Sequence, residues 1–294
     1  MANFKIICDS CSDLDLETAS KYDIEIISFY CSLDRINYLR EHIDISNEEF
    51  YEKLISDKTL YPKTSFPSEK DYLDKFNYFL NDGIDILYIS MSSKLSGAYQ
   101  SVVNISKGLS EKFPDRKIVV VDSKSGSMGE GLLAIQAAKA RDANKNIFET
   151  KDFIESIKKD TKIFLTVDSL EHLKRGGRIG KAAAAAANIL NIKPIIGIVD
   201  GEIIAHSKTF GRKNAIKKII ELTLLSTDEK KYDYAYGVIH SKSNTEAIEL
   251  INTIKNKYNL DIEIKPFDIG IVIGSHVGPT TVGIVLVKKF SFST

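Results

Sequence analysis

The sequence predicts an α/β protein of two domains, and three observations lead there. Short Ile/Val-rich runs alternate with longer amphipathic stretches, the pattern of a sheet with helices on its faces. The length, 294 residues, exceeds what one hydrophobic core ordinarily serves. The texture also changes midway. The first half reads as doubly wound on a mostly parallel sheet, the second as a mixed sheet with helices and an antiparallel ribbon. Between them Asp142-Ala143-Asn144-Lys145-Asn146 breaks the pattern, which places an N-terminal α/β domain at 1–148 and a C-terminal α/β domain at 149–294.

The elements follow in order. Phe4 to Cys8 is the first strand, Ile84 to Ser90 the second clear one and Lys117 to Val121 the third. Helical patterns occupy Ser68 to Asn81, with Ser68 as N-cap, then Gly97 to Phe113, stopped by Pro114, and Met128 to Asp142. The second half begins with a helix near Thr150 and a strand from Lys162 to Val167. Lys181 to Asn188 contains six consecutive alanines, strong helix formers, read as packing a helix rather than lining a site. Pro194 to Val199 and Glu202 to Lys208 flank Asp200-Gly201, a two-residue hairpin signal. Helix and strand then alternate through Lys213–Leu225, Asp233–His240, Asn244–Tyr258 and Asp261–Phe267, and Thr281 to Val287 is the last strand.

Composition excludes several classes. Lys plus Arg and Asp plus Glu number 40 each, and a net charge of zero argues against a nucleic-acid partner. No run of 18 apolar residues occurs, and MANFKIICDS lacks the basic-then-apolar form of a secretory leader. Three cysteines are too few for a disulfide framework, so a cytoplasmic protein is expected. The histidines His42, His172, His206, His240 and His276 show no metal-ligand spacing, and no metal or cofactor is expected.

Polar residues collect at strand ends, where open α/β sheets bind ligands. The clusters are Asp9-Ser10-Cys11-Ser12-Asp13, Pro62-Lys63-Thr64-Ser65-Phe66-Pro67-Ser68, Ser92-Ser93-Lys94-Leu95-Ser96-Gly97, Gly274-Ser275-His276-Val277-Gly278-Pro279 and the basic Lys174-Arg175-Gly176-Gly177-Arg178. Ser96 and Gly97 open a helix, where a hydroxyl, backbone N–H groups and the helix dipole converge on an anion; Ser96 serves equally as a plain helix cap. Thr64 sits in a proline-bracketed loop whose cap is already Ser68, so it is either a ligand contact or a turn residue. His276, in a glycine-rich loop, is either a partly exposed donor to a carboxylate or a histidine without a task. Cys8 and Cys11 have C-x-x-C spacing, but Cys8 falls inside a strand and Cys11 in the turn after it. Gly126 to Gly131 reads as a flexible turn into a helix. Neither a G-x-S-x-G elbow nor a phosphate-binding glycine loop is present.

Taken together, these stretches resemble the DegV family of bacterial fatty-acid-binding proteins that serve a fatty acid kinase. The resemblance rests on Asp9 to Leu14, Thr64 to Ser68, Ser92 to Tyr99, Val121-Asp122-Ser123, Leu173 to Ile179, Asn191 to Pro194 and Gly274 to Pro279, in order along essentially the whole chain. It implies two α/β domains with a long-chain fatty acid, such as palmitate, stearate or oleate, buried between them. It implies that Thr64 and Ser96 grip the carboxylate with His276 nearby, joined by Ser65, Gly97 and an arginine of the basic loop, Arg175. It also implies a partner kinase that converts the carboxylate to an acyl phosphate. Arg175 is the expected contact for the partner, because a developing acyl phosphate and an acidic partner surface both favour arginine, and transient membrane contact for ligand exchange is a further expectation. Phe66 departs from the polar residue, often Gln, that the resemblance leads one to expect there.

A carrier without catalysis of its own is therefore the expectation. One competing reading is a phosphotransferase or hydrolase acting on a small carboxylate through Asp9, Asp122 or His276. Another is a thiol redox protein using Cys8 and Cys11. ATP turnover would favour the first, and a cysteine of depressed pKa the second.

Overall fold

In the computed structural model, which describes residues 4–185 and 191–291, the alternation of side chains along the strands explains the layers. Strands β1 (Phe4–Asp9), β2 (Ile24–Ile27), β6 (Asp85–Ser90) and β7 (Ile118–Asp122) form a parallel sheet in the order β2-β1-β6-β7. Ile7, Ile86 and Tyr88 point to one face, packing with Tyr72, Phe76 and Val102 of helices α3 (Glu69–Asn81) and α4 (Ala98–Lys112). Ile6, Cys8, Leu87 and Ile89 point to the other, against α5 (Met128–Asp142) and α6 (Ile147–Ile157). Strands apolar on both faces mark a doubly wound sheet. Its order reverses between β1 and β6, which makes the carboxyl ends of those strands the switch point.

The second sheet runs β10-β9-β8-β13-β11-β12, formed by β8 (Lys162–Thr166), β9 (Ile192–Val199), β10 (Glu202–Phe210), β11 (Tyr234–His240), β12 (Lys265–Asp268) and β13 (Val282–Lys288). Every pairing is antiparallel except β11 with β12. One face is covered by α8 (Arg212–Thr227) and α9 (Asn244–Tyr258). The other meets α5, which is wedged between the two sheets with every residue but Lys139 and Asp142 buried. Its small and apolar residues face both sheets, so α5 supplies the shared core, with Glu130 and Gln136 buried among them. The β9–β10 hairpin turns at Asp200 and Gly201 with φ of 50° and 85°, as the sequence signal required.

A third, small sheet orders β4 (Leu39–Arg40), β3 (Tyr30–Ser32) and β5 (Lys63–Ser65), with α1 (Leu16–Lys21) and α2 (Asn47–Ser56) around it in sequence. Two further short helices, α7 (Glu171–Arg175) and α10 (Ile271–Val277), pack against each other, and α10 also touches β3, β5 and α2. Ser68 caps α3 through a capping box with Asp71. We propose the division of the chain at residue 148 as the boundary between its α/β units; α6, which begins beside it, packs on α5, β6 and β7.

Several local expectations are corrected. The stretch around Thr64 is strand β5, because its backbone pairs with Cys31 of β3. The stretch expected as a loop through Gly274 to Val277 is the second half of α10. The strand expected over 261–267 begins only at Lys265 and runs as β12 to Asp268. The alanine run enters a 3-10 helix, Gly180–Ala185, and its remainder lies outside the described residues. The 126–131 segment is buried rather than a free turn.

Candidate functional site

At the carboxyl ends of the parallel strands, between that sheet and the β8–β9–β10 face of the mixed one, lies a cavity of about 240 Å³. A single water needs roughly 10–15 Å³ by comparable measure, so this is a ligand-sized space rather than a packing void. Its walls divide cleanly. One end, the mouth, carries Thr64, Ser65, Ser96, Gly97, Arg178 and His276. The body is aliphatic, with Met91, Leu95, Ile196, Ile198, Ile203 and Ile273 among its walls. No carboxylate lines the cavity among the described residues.

Each polar residue arrives on a different element. Thr64 is central in β5, and its Oγ1 lies 2.9 Å from His276 Nε2 at the far end of α10. Gly176 permits that approach, since a Cβ there would come within 2.2 Å of His276 Nδ1. Burial, then the Arg178 and Lys63 cations, push the His276 pKa down to about 4, so the imidazole is neutral near pH 7. With its proton on Nε2 it donates to Thr64, which leaves the threonine hydroxyl hydrogen for a third group. Ser96 Oγ accepts from Ala98 N at 3.2 Å, so the serine steadies the start of α4 while it lines the cavity. Ser96 thus precedes the N-cap position, which is Gly97, and bonds into the first turn from there. Arg178 is anchored by Nε to Leu95 O (3.1 Å) and by Nη1 to Gly176 O (2.7 Å), which fixes a guanidinium at the mouth.

Arg175 stands elsewhere. Its Nε bonds Glu171 at 2.6 Å, its guanidinium stacks 4.1 Å over the Tyr61 ring, and it does not line the cavity. The glycines between the two arginines turn the chain (Gly177 has φ 72°), so the sequence spacing alone did not say which one faces inward. Phe66, the departure noted in sequence, is 40% exposed and lines the mouth beside Gly97.

The Asp9–Asp13 cluster is structural. Asp9 accepts from Cys11 N and Met91 N, both at 3.0 Å, and Ser10 Oγ accepts from Phe29 N. Asp13 accepts from Gly270 N at 2.9 Å and from the Ser127 hydroxyl. Glu41, a residue that sequence reading missed, accepts from Val272 N at 3.1 Å. Asp13 and Glu41 thus hold the start of the helix whose end carries His276. Glu130 of α5 faces Asp9 without a hydrogen bond of standard geometry. These four carboxyls are at most 4% exposed, and burial raises the pKa of each, that of Asp9 to about 6. Cys8 and Cys11 are free and wholly buried, and desolvation followed by nearby carboxylates raises both thiol pKa values. Cys11 lies in a buried 3-10 turn rather than an open one, and neither thiol has the depressed pKa of a redox nucleophile. Asp122 is tied to Lys124 and Ser93 N, away from the cavity. No helix among the described residues is long and apolar enough to cross a membrane.

Fold and cavity together define a class: an α/β protein with a largely apolar cavity, cationic and hydroxyl-rich at one end, between its two large sheets. The chain belongs to the DegV family, whose model, described as "Uncharacterised protein, DegV family", matches residues 3–289. A DegV domain-containing protein of Clostridium perfringens is 35% identical over 290 residues, covering 97% of each chain. Among solved structures, a stearic-acid-binding protein of Eubacterium ventriosum superimposes with a TM-score of 0.92 at 30% identity, covering 97% of this chain and 98% of that one. A DegV family protein of Thermus thermophilus, described by its fatty acid binding, gives 0.88 at 26% identity over 97% and 99%.

Proposed function

We propose that this protein holds a long-chain fatty acid, such as palmitate, stearate or oleate, by its carboxylate and presents it to a partner fatty acid kinase. In this reading it contributes no catalysis of its own. The observation that carries it is the two-part cavity: a mouth of donors and a fixed guanidinium, with an aliphatic body behind. Thr64 and Ser96 offer hydroxyl hydrogens to the carboxylate, Arg178 offers its charge, and the start of α4 adds its dipole at Gly97. Ser65 stands at the rim. The described binding of stearic acid by the Eubacterium ventriosum relative supports the same ligand class.

The tail provides affinity and the mouth provides orientation. Burial contributes about 0.8 kcal/mol per CH₂, so a palmitoyl chain contributes roughly 10 kcal/mol before ordering costs. A neutral His276 suits this task, because it directs the Thr64 hydroxyl without competing for the anion. Arg175, exposed and stacked on Tyr61, is our candidate contact for the kinase or for the phosphate that it delivers. We further propose a cytoplasmic location, with transient membrane contact for ligand exchange.

Calorimetric titration of the delipidated protein with palmitate tests the reading. Saturable one-to-one binding is expected. Absence of binding for palmitate, stearate and oleate alike would refute it.

A further inference from the structure

Behind the acyl cavity lies a second one, of about 460 Å³, and the two share Ile163 and Ile198 as wall residues. The second cavity carries the charges: Lys94, Lys124, Lys158, Lys159 and Lys162 line it, against Glu155 and Asp200, with Phe164 and Val199 among them. Lys124 pairs with Asp122 and Lys158 with Glu155, whereas Lys159 and Lys162 make no ion pair among the described residues. Two isoleucine side chains therefore separate a hydrocarbon-lined space from a lysine-lined one.

The strand register sets their position. On β8 and β9 they stand two residues beyond the paired Leu165 and Ile196, away from the end of β8 that leads to α7 and Arg178. Ile163 fits because residue 129 is glycine: a Cβ there would lie 2.9 Å from Ile163 Cδ1. Ile198 reaches within 4.0 Å of the equivalent point on Gly126, at the foot of α5. None of Thr64, Ser96, Arg178 or His276 touches the lysine cavity.

Resting on the fatty-acid reading above, we propose that Ile163 and Ile198 are the floor of the acyl cavity and determine the longest chain the protein holds. A tail that reaches them has spent the apolar burial available to it. Pushing further would bring hydrocarbon against ammonium groups that lose water and gain no counter-charge. A smaller residue at the floor opens the way, and a group of opposite charge at the tail's far end would then find partners among the lysines.

Ile198→Ala and its opposite, Ile198→Phe, test this in the full chain, stripped of lipid and titrated with palmitate, arachidate, behenate and hexadecanedioic acid. In Ile198→Ala the behenate-to-palmitate affinity ratio should rise roughly tenfold, the gain of about two more buried methylenes. Hexadecanedioic acid should gain on palmitate in the same variant, and both ratios should fall in Ile198→Phe. Because all four ligands share one carboxylate grip, a general loosening of the fold cancels from the ratios. Ratios unchanged in both variants, with palmitate still bound by the parent, would overturn the floor and leave the fatty-acid reading intact. A parent that fails to bind palmitate would overturn that reading and the floor with it.

Discussion

Two polar knots in this chain are built on opposite principles. Beneath α10, Asp9, Asp13, Glu41 and Glu130 are sealed from water, and three of the four accept backbone N–H groups. At the cavity mouth, Thr64, Ser96, Arg178 and His276 face an open space, and each uses part of its bonding capacity on the protein and leaves part over. The first knot fixes backbone; the second has capacity for a ligand. Polar residues at strand ends are thus no guide to function until it is known where their hydrogen bonds go. The two are connected, since the sealed knot holds one end of α10 and His276 sits at the other.

The largest effect expected from breaking this contrast is on stability. Asp13→Ala strands Gly270 N and the Ser127 hydroxyl, and should cost about 2–4 kcal/mol in urea unfolding. A loss under about 0.5 kcal/mol would mean that Asp13 anchors nothing. At the mouth, Arg178→Ala should weaken palmitate binding by about 2 kcal/mol, and Thr64→Ala or Ser96→Ala by about 1–2 kcal/mol each, while shifting stability by less than about 1 kcal/mol. If the mouth variants unfolded the protein and bound normally once refolded, the division between the knots would be wrong.

A subtler separation comes from pH. The folded-state pKa of His276, about 4, lies below its ordinary 6.5, so the unfolded chain takes up that proton first as pH falls. The imidazole therefore lowers the stability of the ligand-free fold progressively from pH 6.5 down to 4, by at most about 3 kcal/mol. Asp9 acts the other way: raised from 3.8 to about 6, it favours the folded state as pH falls through that window. Subtracting the profile of His276→Gln from that of the parent isolates the imidazole, and the difference should be flat above pH 6.5 and fall below it. A flat difference throughout would show that His276 is not held neutral. The smallest effect on binding belongs to Arg175→Ala, which should leave palmitate affinity unchanged and lower only phosphorylation by the kinase partner proposed above. Equal losses in both would remove the kinase-contact role.

Much of the fold was legible because it rests on periodicity: the helix over Met128–Asp142 and the hairpin at Asp200-Gly201 were both marked by local residues. The small sheet was not, since β4 is two residues long and β3 and β5 three each, too short for a period to declare itself. The hydroxyls of the mouth stood out as polar residues beside a helix start or between prolines. Arg178 did not, because two arginines flank two glycines and only the backbone turn decides which faces inward. Glu41 was invisible, as its role depends on a helix more than two hundred residues later. The cavity body was equally hidden, for its aliphatic side chains look in sequence like any core.

The most direct test of the central claim is mass spectrometry of an organic extract from the purified, unheated protein. The account predicts close to one long-chain fatty acid per chain, released from the parent and depleted in a Thr64→Ala, Ser96→Ala double variant. An extract without fatty acid, together with no uptake of added palmitate or oleate, would contradict it.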